Sequence, residues 1–158
     1  MPIRLDSASR YFCEKSGWSL SNLELQKLLY LAQVEHAANN EGAPLVAEPF
    51  QAWDYGPVIP RLYRKLKMFG SSPVGDVFYS AKTIRKNSPS DKSLAATWGQ
   101  FGSADPGELI EVSHWERGGW ARRYQPGIRD IEIRQSDIVR EAENRERFGK
   151  EWRRLVAA

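Results

Sequence analysis

Residues 21–40 constrain the fold more than any other stretch, because they form a helical pattern that is apolar on opposite faces. Ser21 and Glu24 match a capping box, in which each side chain bonds the other residue's backbone amide at a helix start. One face carries Leu25, Leu28, Leu29, Ala32 and His36, and the other carries Tyr30, Leu31 and Val34. A helix that is apolar on most sides has to be enclosed by other elements. We therefore predict a compact, mainly α domain around a central helix at about residues 21–40.

Shorter helices are predicted on both sides of the central helix. Asp6 or Ser7 is a candidate N-cap for a first helix that ends before Gly17. Proline at a first helical turn or a capping residue predicts further helices at about residues 60–69, 91–101 and 105–114. Ser136 is expected to cap a charged last helix over residues 137–158, which is helical to about residue 155. Its predicted inward side carries Ile138, Ala142, Arg145, Phe148 or Gly149, and Trp152.

A minor β element is expected between these helices. Short strands are predicted at residues 45–53, 77–79 and 131–133. Pro49 confines the first of them to a sheet edge, because proline cannot donate a ladder hydrogen bond. Residues 54–57 are expected to form a turn, residues 71–92 a loop rich in Gly, Ser and Pro, and residues 116–120 an irregular segment.

Length and composition indicate one soluble domain over residues 1–158. The single cysteine, Cys13, lies in a helical pattern and is expected to be a buried structural thiol. The N-terminal residues contain no apolar signal region, and no apolar run approaches the ~18 residues of a membrane span. We therefore expect a cytoplasmic protein with no membrane partner.

Residues for catalysis or metal binding are hard to assemble from this sequence. It has two histidines and one cysteine, with no spacing typical of a metal site. His36 lies on the apolar face of the central helix, where a hydrogen-bonded core histidine is the expected role. No phosphate-binding glycine loop and no nucleophile motif is present. We expect no enzyme activity, no cofactor, and no catalytic, cofactor-binding or metal-ligating residues; a hydrolase using His114 is the least favoured alternative.

Charge gives little support to nucleic-acid binding, which stays open as the alternative function. The formal net charge is +3, and basic residues are interspersed with acidic ones. The densest basic segments are residues 61–67, 82–86 and 122–123, which solvated helix or loop faces explain. A nucleic-acid site normally has a denser basic stripe.

Six tryptophans are the most distinctive part of the composition. Trp98 and Trp152 have helical spacing and are expected in the core. Trp53, Trp115 and Trp120 lie in irregular segments, so both a core position and a binding surface stay open for them, since tryptophan is frequent at binding hot spots.

Three blocks of sequence together carry a family resemblance. They are residues 25–30 (LQKLLY), 50–60 (FQAWDYGPVIP) and 109–114 (LIEVSH), followed by Trp120, Ala121 and Arg122. In this order, and over roughly residues 8–140, the chain resembles the Panacea domain family, which includes SocA-like antitoxins and GepA-like phage-associated proteins. The stiff Gly56-Pro57 corner, which aims Trp53 and Tyr55, is the centre of the resemblance.

The resemblance implies a mainly helical antitoxin of a toxin–antitoxin pair, which neutralises a cognate toxin by direct contact and in related members hands it to a cellular protease. Because one domain serves many unrelated toxins, the matching residues are expected to be scaffold or binding positions. They are Gln26, Lys27, Tyr30, Trp53, Tyr55, Gly56, Pro57, Tyr63, His114 and Trp120. Toxin specificity is then expected in the 71–92 loop and in the charged last helix.

One departure from the family pattern concerns the late tryptophan. Gly118 and Gly119 precede Trp120, where the family pattern leads us to expect a proline. Two consecutive glycines predict a looser loop at this position.

Overall fold

The computed structural model of the chain describes residues 1–157, so residue 158 of the predicted domain and last helix lies outside the described part. Within that part, the fold consists of eight α-helices and a small three-stranded sheet. The helices are α1 Leu5–Lys15, α2 Asn22–Asn39, α3 Pro60–Leu66, α4 Pro89–Phe101, α5 Pro106–Ser113, α6 Gly119–Arg123, α7 Gln135–Arg147 and α8 Gly149–Ala157. The strands are β1 Phe50–Trp53, β2 Gly56–Val58 and β3 Glu132–Ile133. The predicted fold class, mainly α with a minor β element, is confirmed.

Helix α2 is the central helix, as its two apolar faces predict. The hydroxyl of Ser21 accepts a bond from the Glu24 amide, and the Glu24 carboxylate accepts one from the Ser21 amide, which completes the capping box. Six other elements pack around α2: helices α1, α3, α4, α5 and α7, and strand β2. Its leucines at positions 25, 28, 29 and 31 are almost fully buried and form the middle of the hydrophobic core.

The sheet is antiparallel, with β1 between β2 and β3. In the β1–β2 hairpin, Gln51 faces Val58 and Trp53 faces Gly56. Strand β1 is therefore central, which corrects the expected edge position; Pro49 is tolerated because it lies just outside the ladder. Only Asp54 and Tyr55 form the turn, since Gly56 and Pro57 already belong to β2.

Three local predictions of secondary structure are wrong. The N-cap of α1 is Arg4, without a side-chain bond, so neither Asp6 nor Ser7 caps that helix. Residues 77–79 form no strand; Phe78 is buried there, as is Val74 earlier in the same loop. Residues 119–120, predicted to be irregular, begin the short helix α6.

The predicted last helix is two helices. Helix α7 is capped at Arg134, not at Ser136, because the carboxylate of Asp137 accepts the Arg134 amide at 2.8 Å from inside the first turn. The helix ends at Arg147; its C-cap, Phe148, has a backbone (φ −110°, ψ 42°) that is not helical, and α8 follows directly. The predicted inward face is confirmed, with Ile138 and Trp152 among its buried residues.

Candidate functional site

The hairpin corner, residues 53–57, is held by side chains from distant parts of the chain. The Asp54 carboxylate accepts hydrogen bonds from the Tyr124 hydroxyl at 2.7 Å and from the Gly127 amide at 3.1 Å. Gly56 has φ 123°, and a Cβ there would lie 2.6 Å from the Lys27 ammonium nitrogen. A side chain at position 56 is therefore excluded both by backbone conformation and by space.

Lys27 lies beneath the corner and is fully buried. Its ammonium group donates to the Tyr55 carbonyl oxygen, and no carboxylate of residues 1–157 lies within ion-pair distance of it. Burial without an acidic partner lowers the pKa of Lys27 from 10.5 to about 8. This amine fixes the turn from inside the protein.

His114 and two aromatic rings form a stack beside Lys27. The His114 ring lies parallel to the Trp120 ring at 3.7 Å, and Trp120 stacks on Tyr124 at 4.4 Å. The Trp120 indole N–H donates to the Trp53 carbonyl oxygen at 2.8 Å. Burial first, and then the charge of Lys27, lower the pKa of His114, so the imidazole is neutral at physiological pH. The stack ties α5 and α6 to the hairpin.

Glutamine side chains of α2 hold two further segments. The Gln26 side-chain oxygen accepts the Ile59 amide at 2.9 Å, which fixes the chain where β2 leads into α3. The Gln33 side-chain oxygen accepts the amides of Leu45 and Val46, both at 3.0 Å. Buried amides of the connecting segments are thus satisfied by the central helix, as burial of polar backbone requires.

Tyr30, the remaining motif residue of α2, belongs to a second buried network. One oxygen of Glu141 accepts from the Tyr30 hydroxyl at 2.6 Å and from the Gly119 amide at 2.8 Å. Its other oxygen pairs with Arg145 at 3.2 Å. Burial, together with the neighbouring carboxylate of Glu141, raises the pKa of Tyr30 well above its ordinary value.

The two glycines before Trp120 fit tightly, which corrects the expectation of a loose loop. A Cβ on Gly118 would lie 2.7 Å from a Glu141 carboxylate oxygen, and one on Gly119 would lie 2.7 Å from the Tyr30 hydroxyl oxygen. Glycine is therefore needed here for close approach, so the pair fixes α6 against α7.

The remaining reactive side chains are internal. Cys13 is fully buried, as predicted, and burial raises the pKa of its thiol to about 12. His36, also buried as predicted, lies 2.8 Å from the Ser93 hydroxyl. No group of three or more His, Cys, Asp or Glu side chains among residues 1–157 could hold a metal ion. None of the helices in this range is long and apolar enough to cross a membrane.

Comparison with known proteins identifies the family of this chain. Residues 25–121 match the family described as "Antitoxin SocA-like, Panacea domain". The chain belongs to the Panacea domain family. A curated relative, Antitoxin SocA of Caulobacter vibrioides (strain NA1000 / CB15N), is 32% identical over 113 residues, which cover 64% of this chain and 58% of that protein. The chain thus spans a little over half the length of this relative. No solved structure matches the chain.

All ten predicted motif residues lie inside the region that matches the Panacea domain. Nine of them form the hairpin corner or lie next to it: Gln26, Lys27, Trp53, Tyr55, Gly56, Pro57, Tyr63, His114 and Trp120. The tenth, Tyr30, contributes to the Glu141 network instead. Of the three tryptophans left open between core and surface, Trp115 and Trp120 are buried in the core. Trp53 is half-buried, with its ring against Tyr63 at 4.9 Å.

Sequence reasoning missed five polar residues that complete these networks: Gln33, Asp54, Tyr124, Asp137 and Glu141. Burial acts to raise the pKa of Asp137, yet its bonds to Arg123 and to the Arg134 amide outweigh burial and lower it. A signal for two of the five exists in the sequence. Positions 137 and 141 are one turn apart and adjoin the apolar face of α7, so two inward carboxylates could have been read from that spacing.

Proposed function

We propose that this chain is a cytoplasmic antitoxin, and not an enzyme, that neutralises a toxin protein by direct contact. Its membership of the Panacea domain family is the observation that carries the proposal. The name of its relative, Antitoxin SocA, supports the same role.

The burial of the motif residues supports a scaffold role for them. Lys27 is fully buried, and the ring of His114 is covered on one face by Trp120. A general base or nucleophile has to reach a substrate atom, which neither side chain does in this arrangement. The two groups instead bond or pack against the hairpin, so the matched residues serve best as a frame on which variable surfaces are displayed.

The surfaces that the frame leaves exposed are where we place toxin contact. The predicted 71–92 loop ends at residue 88, where α4 follows; most of residues 71–88 are exposed, and so are the outward residues of α7 and α8. We expect a toxin interface of standard size, about 1,200–2,000 Å² in total.

Expression of the neighbouring gene tests this proposal directly. Its product expressed alone should arrest growth of the host, and co-expression of this chain should restore growth and co-purify with it. As a matched control, the exposed surface variant Arg4→Glu should rescue as well as the wild type, because Arg4 lies outside the proposed surfaces. A neighbouring product that is harmless by itself and does not co-purify contradicts the proposal.

Delivery of the toxin to a cellular protease is a further part of the proposal, supported by the family resemblance. The toxin's half-life after a translation block should then be shorter with this chain than without it. An unchanged half-life in the presence of a bound, inactive toxin would mean neutralisation by contact alone.

A nucleic-acid-binding regulator is the second candidate, favoured by exposed basic residues on and after α3. Two of them are already paired, Arg61 with Glu48 at 2.8 Å and Lys65 with Asp6 at 3.1 Å, which weakens this candidate. Phosphate binding should be strongly salt-dependent. A gel shift with the chain's own promoter that shows no salt-sensitive complex removes it.

A further inference from the structure

A groove beside the hairpin corner has no role in the scaffold just described. It has a volume of about 340 Å³ and lies between the hairpin, the first turn of α2 and the end of α3. Its walls are largely apolar, formed by Trp53, Tyr55, Val58 and Tyr63. The Tyr55 side chain, at the tip of the turn, is 71% exposed. An exposed aromatic ring on a fixed turn next to an apolar groove is typical of a binding surface.

The groove is preorganised before any ligand binds, because buried hydrogen bonds hold its walls. Gln26 fixes the Ile59 amide behind Val58, and Lys27 holds the Tyr55 carbonyl. The Trp120 indole N–H holds the Trp53 carbonyl. Ligand binding would therefore cost the protein little conformational entropy, so a small contact area can be enough for binding.

The charges at the rim of the groove favour an anionic ligand. The Arg129 guanidinium lies over the Trp53 ring at 4.5 Å, and Lys67 also lines the groove. Among residues 1–157, neither cation has a carboxylate within 4.0 Å. The groove's one acid, Asp54, already accepts bonds from Tyr124 and Gly127. The hydrogen bonds from Tyr124 and Gly127 and, to a smaller extent, the charge of Arg129 lower the pKa of Asp54. The rim therefore has two cations outside any ion pair and one acid that is already hydrogen-bonded.

We propose that this groove, the hairpin groove, binds an extended segment of a partner protein in which one large apolar side chain is flanked by carboxylates. The apolar side chain lies against Trp53 and Tyr63, and the carboxylates pair with Lys67 and Arg129. The inference rests on the proposed function, because the segment is taken to belong to the toxin. The volume of the hairpin groove suits one or two large side chains and lies at the lower end of the range for ligand pockets.

A nucleic-acid strand fits these observations less well. Single-stranded nucleic acid is bound by basic grooves that follow several successive phosphates, with aromatic rings for successive bases. The hairpin groove is a single apolar cavity lined by two cations and by Asp54. A short acidic peptide with one large apolar side chain matches one apolar cavity lined by two cations.

The first experiment uses a defined probe, the acetylated and amidated pentapeptide Glu-Asp-Phe-Asp-Glu. It is titrated into ¹⁵N-labelled protein while the indole N–H resonances are followed, with the Trp53 signal assigned from Trp53→Phe. The Trp53 resonance should move with the peptide. The same peptide with Ala for Phe should bind at least about tenfold more weakly, because burial of a Phe side chain is worth more than the 1.4 kcal/mol of a tenfold change.

A charge reversal tests the rim. In Lys67→Glu/Arg129→Glu the acidic peptide should bind at least about tenfold more weakly, and the matching peptide Lys-Lys-Phe-Lys-Lys should gain affinity. Arg4→Glu/Lys15→Glu changes the net charge equally at exposed sites outside the groove and should bind like the wild type. Equal loss in both variants, or a Trp53 shift with a ten-residue oligothymidine but not with the peptide, overturns the proposal.

A binding experiment with the toxin itself distinguishes this inference from the proposed function. The neighbouring gene's product is titrated against the wild type and both double variants. If it binds and only the groove variant is weakened, both proposals are supported. If it binds all three equally, the hairpin groove is not the toxin site and the proposed function stands. If it does not bind the wild type while the peptide does, the proposed function fails and the groove's preference for acidic segments stands.

Discussion

Replacing Lys27 with methionine tests whether burial lowers the pKa of the Lys27 amine. Methionine has a similar length and no charge, so it fills the space below the hairpin. Burial lowers the pKa of Lys27 from 10.5 to about 8 in the folded protein, whereas the unfolded chain keeps the ordinary value. Between these two pH values the unfolded chain therefore binds more protons than the folded chain. The free energy of unfolding contributed by Lys27 must rise with pH across that window.

The size of the effect follows from the pKa difference. One pKa unit is worth about 1.4 kcal/mol, so the full difference is worth about 3 kcal/mol. Below pH 8 the amine is charged in both states, and the penalty for burying it is complete and constant. Two other buried groups act in the opposite direction. The raised pKa values of Cys13 and Tyr30 make the folded protein lose stability as the pH rises above their ordinary values.

The measurement is therefore a difference between two proteins that share Cys13 and Tyr30. Urea unfolding of the wild type and Lys27→Met is followed by tryptophan fluorescence at several values from about pH 7 to pH 10.5. Relative to the wild type, the variant should lose about 3 kcal/mol of stability across this range, because only the wild type gains from deprotonation. Lys82→Met, at an exposed lysine, should show no such change. A pH-independent difference for Lys27→Met would refute the lowered pKa.

Three further predictions concern packing. Gly119→Ala should destabilise the protein by roughly 1–3 kcal/mol in urea unfolding, because its Cβ overlaps two side chains. Its control, Gly99→Ala, lies in an open position of α4 and should instead stabilise the protein by roughly 0.5–1 kcal/mol. Equal effects of the two variants would contradict the packing argument. Glu141→Gln should cost on the order of 3 kcal/mol because it leaves the Arg145 charge buried without its partner, and a near-neutral result would mean that water relieves Arg145. Cys13 should react with a thiol reagent only at the rate of unfolding, so rapid labelling of the native protein would contradict its burial.

The elements that the sequence predicts well are those with a strong local signal. The capping box at Ser21 and the apolar faces of α2 need no tertiary information, because both arise from residues within one helix. The proline at the start of α5 and the glycine after α1 act in the same local way. Local chemistry decides where such helices begin and end.

The elements that the sequence predicts poorly depend on distant partners. Helix α6 has five residues and two glycines in or before it, so its formation depends on the bond from the Gly119 amide to Glu141. At the break between α7 and α8, the guanidinium of the distant residue Arg117 lies 3.6 Å from the Phe148 ring. In the candidate site, the family resemblance identified which residues meet at the hairpin, but not that Asp54 and Tyr124 join them.

The position of α7 changes where partner specificity can reside. The charged C-terminal segment lies outside the region that matches the family, which favoured a purely partner-specific element. Its inward residues, however, include Ile138 and Glu141, which complete the core and the Tyr30 network. These positions cannot vary freely without loosening α6, and with it the Trp120 contact to the hairpin. Only the outward positions, such as Arg140 and Arg147, are free to follow the chemistry of a partner while the frame stays unchanged.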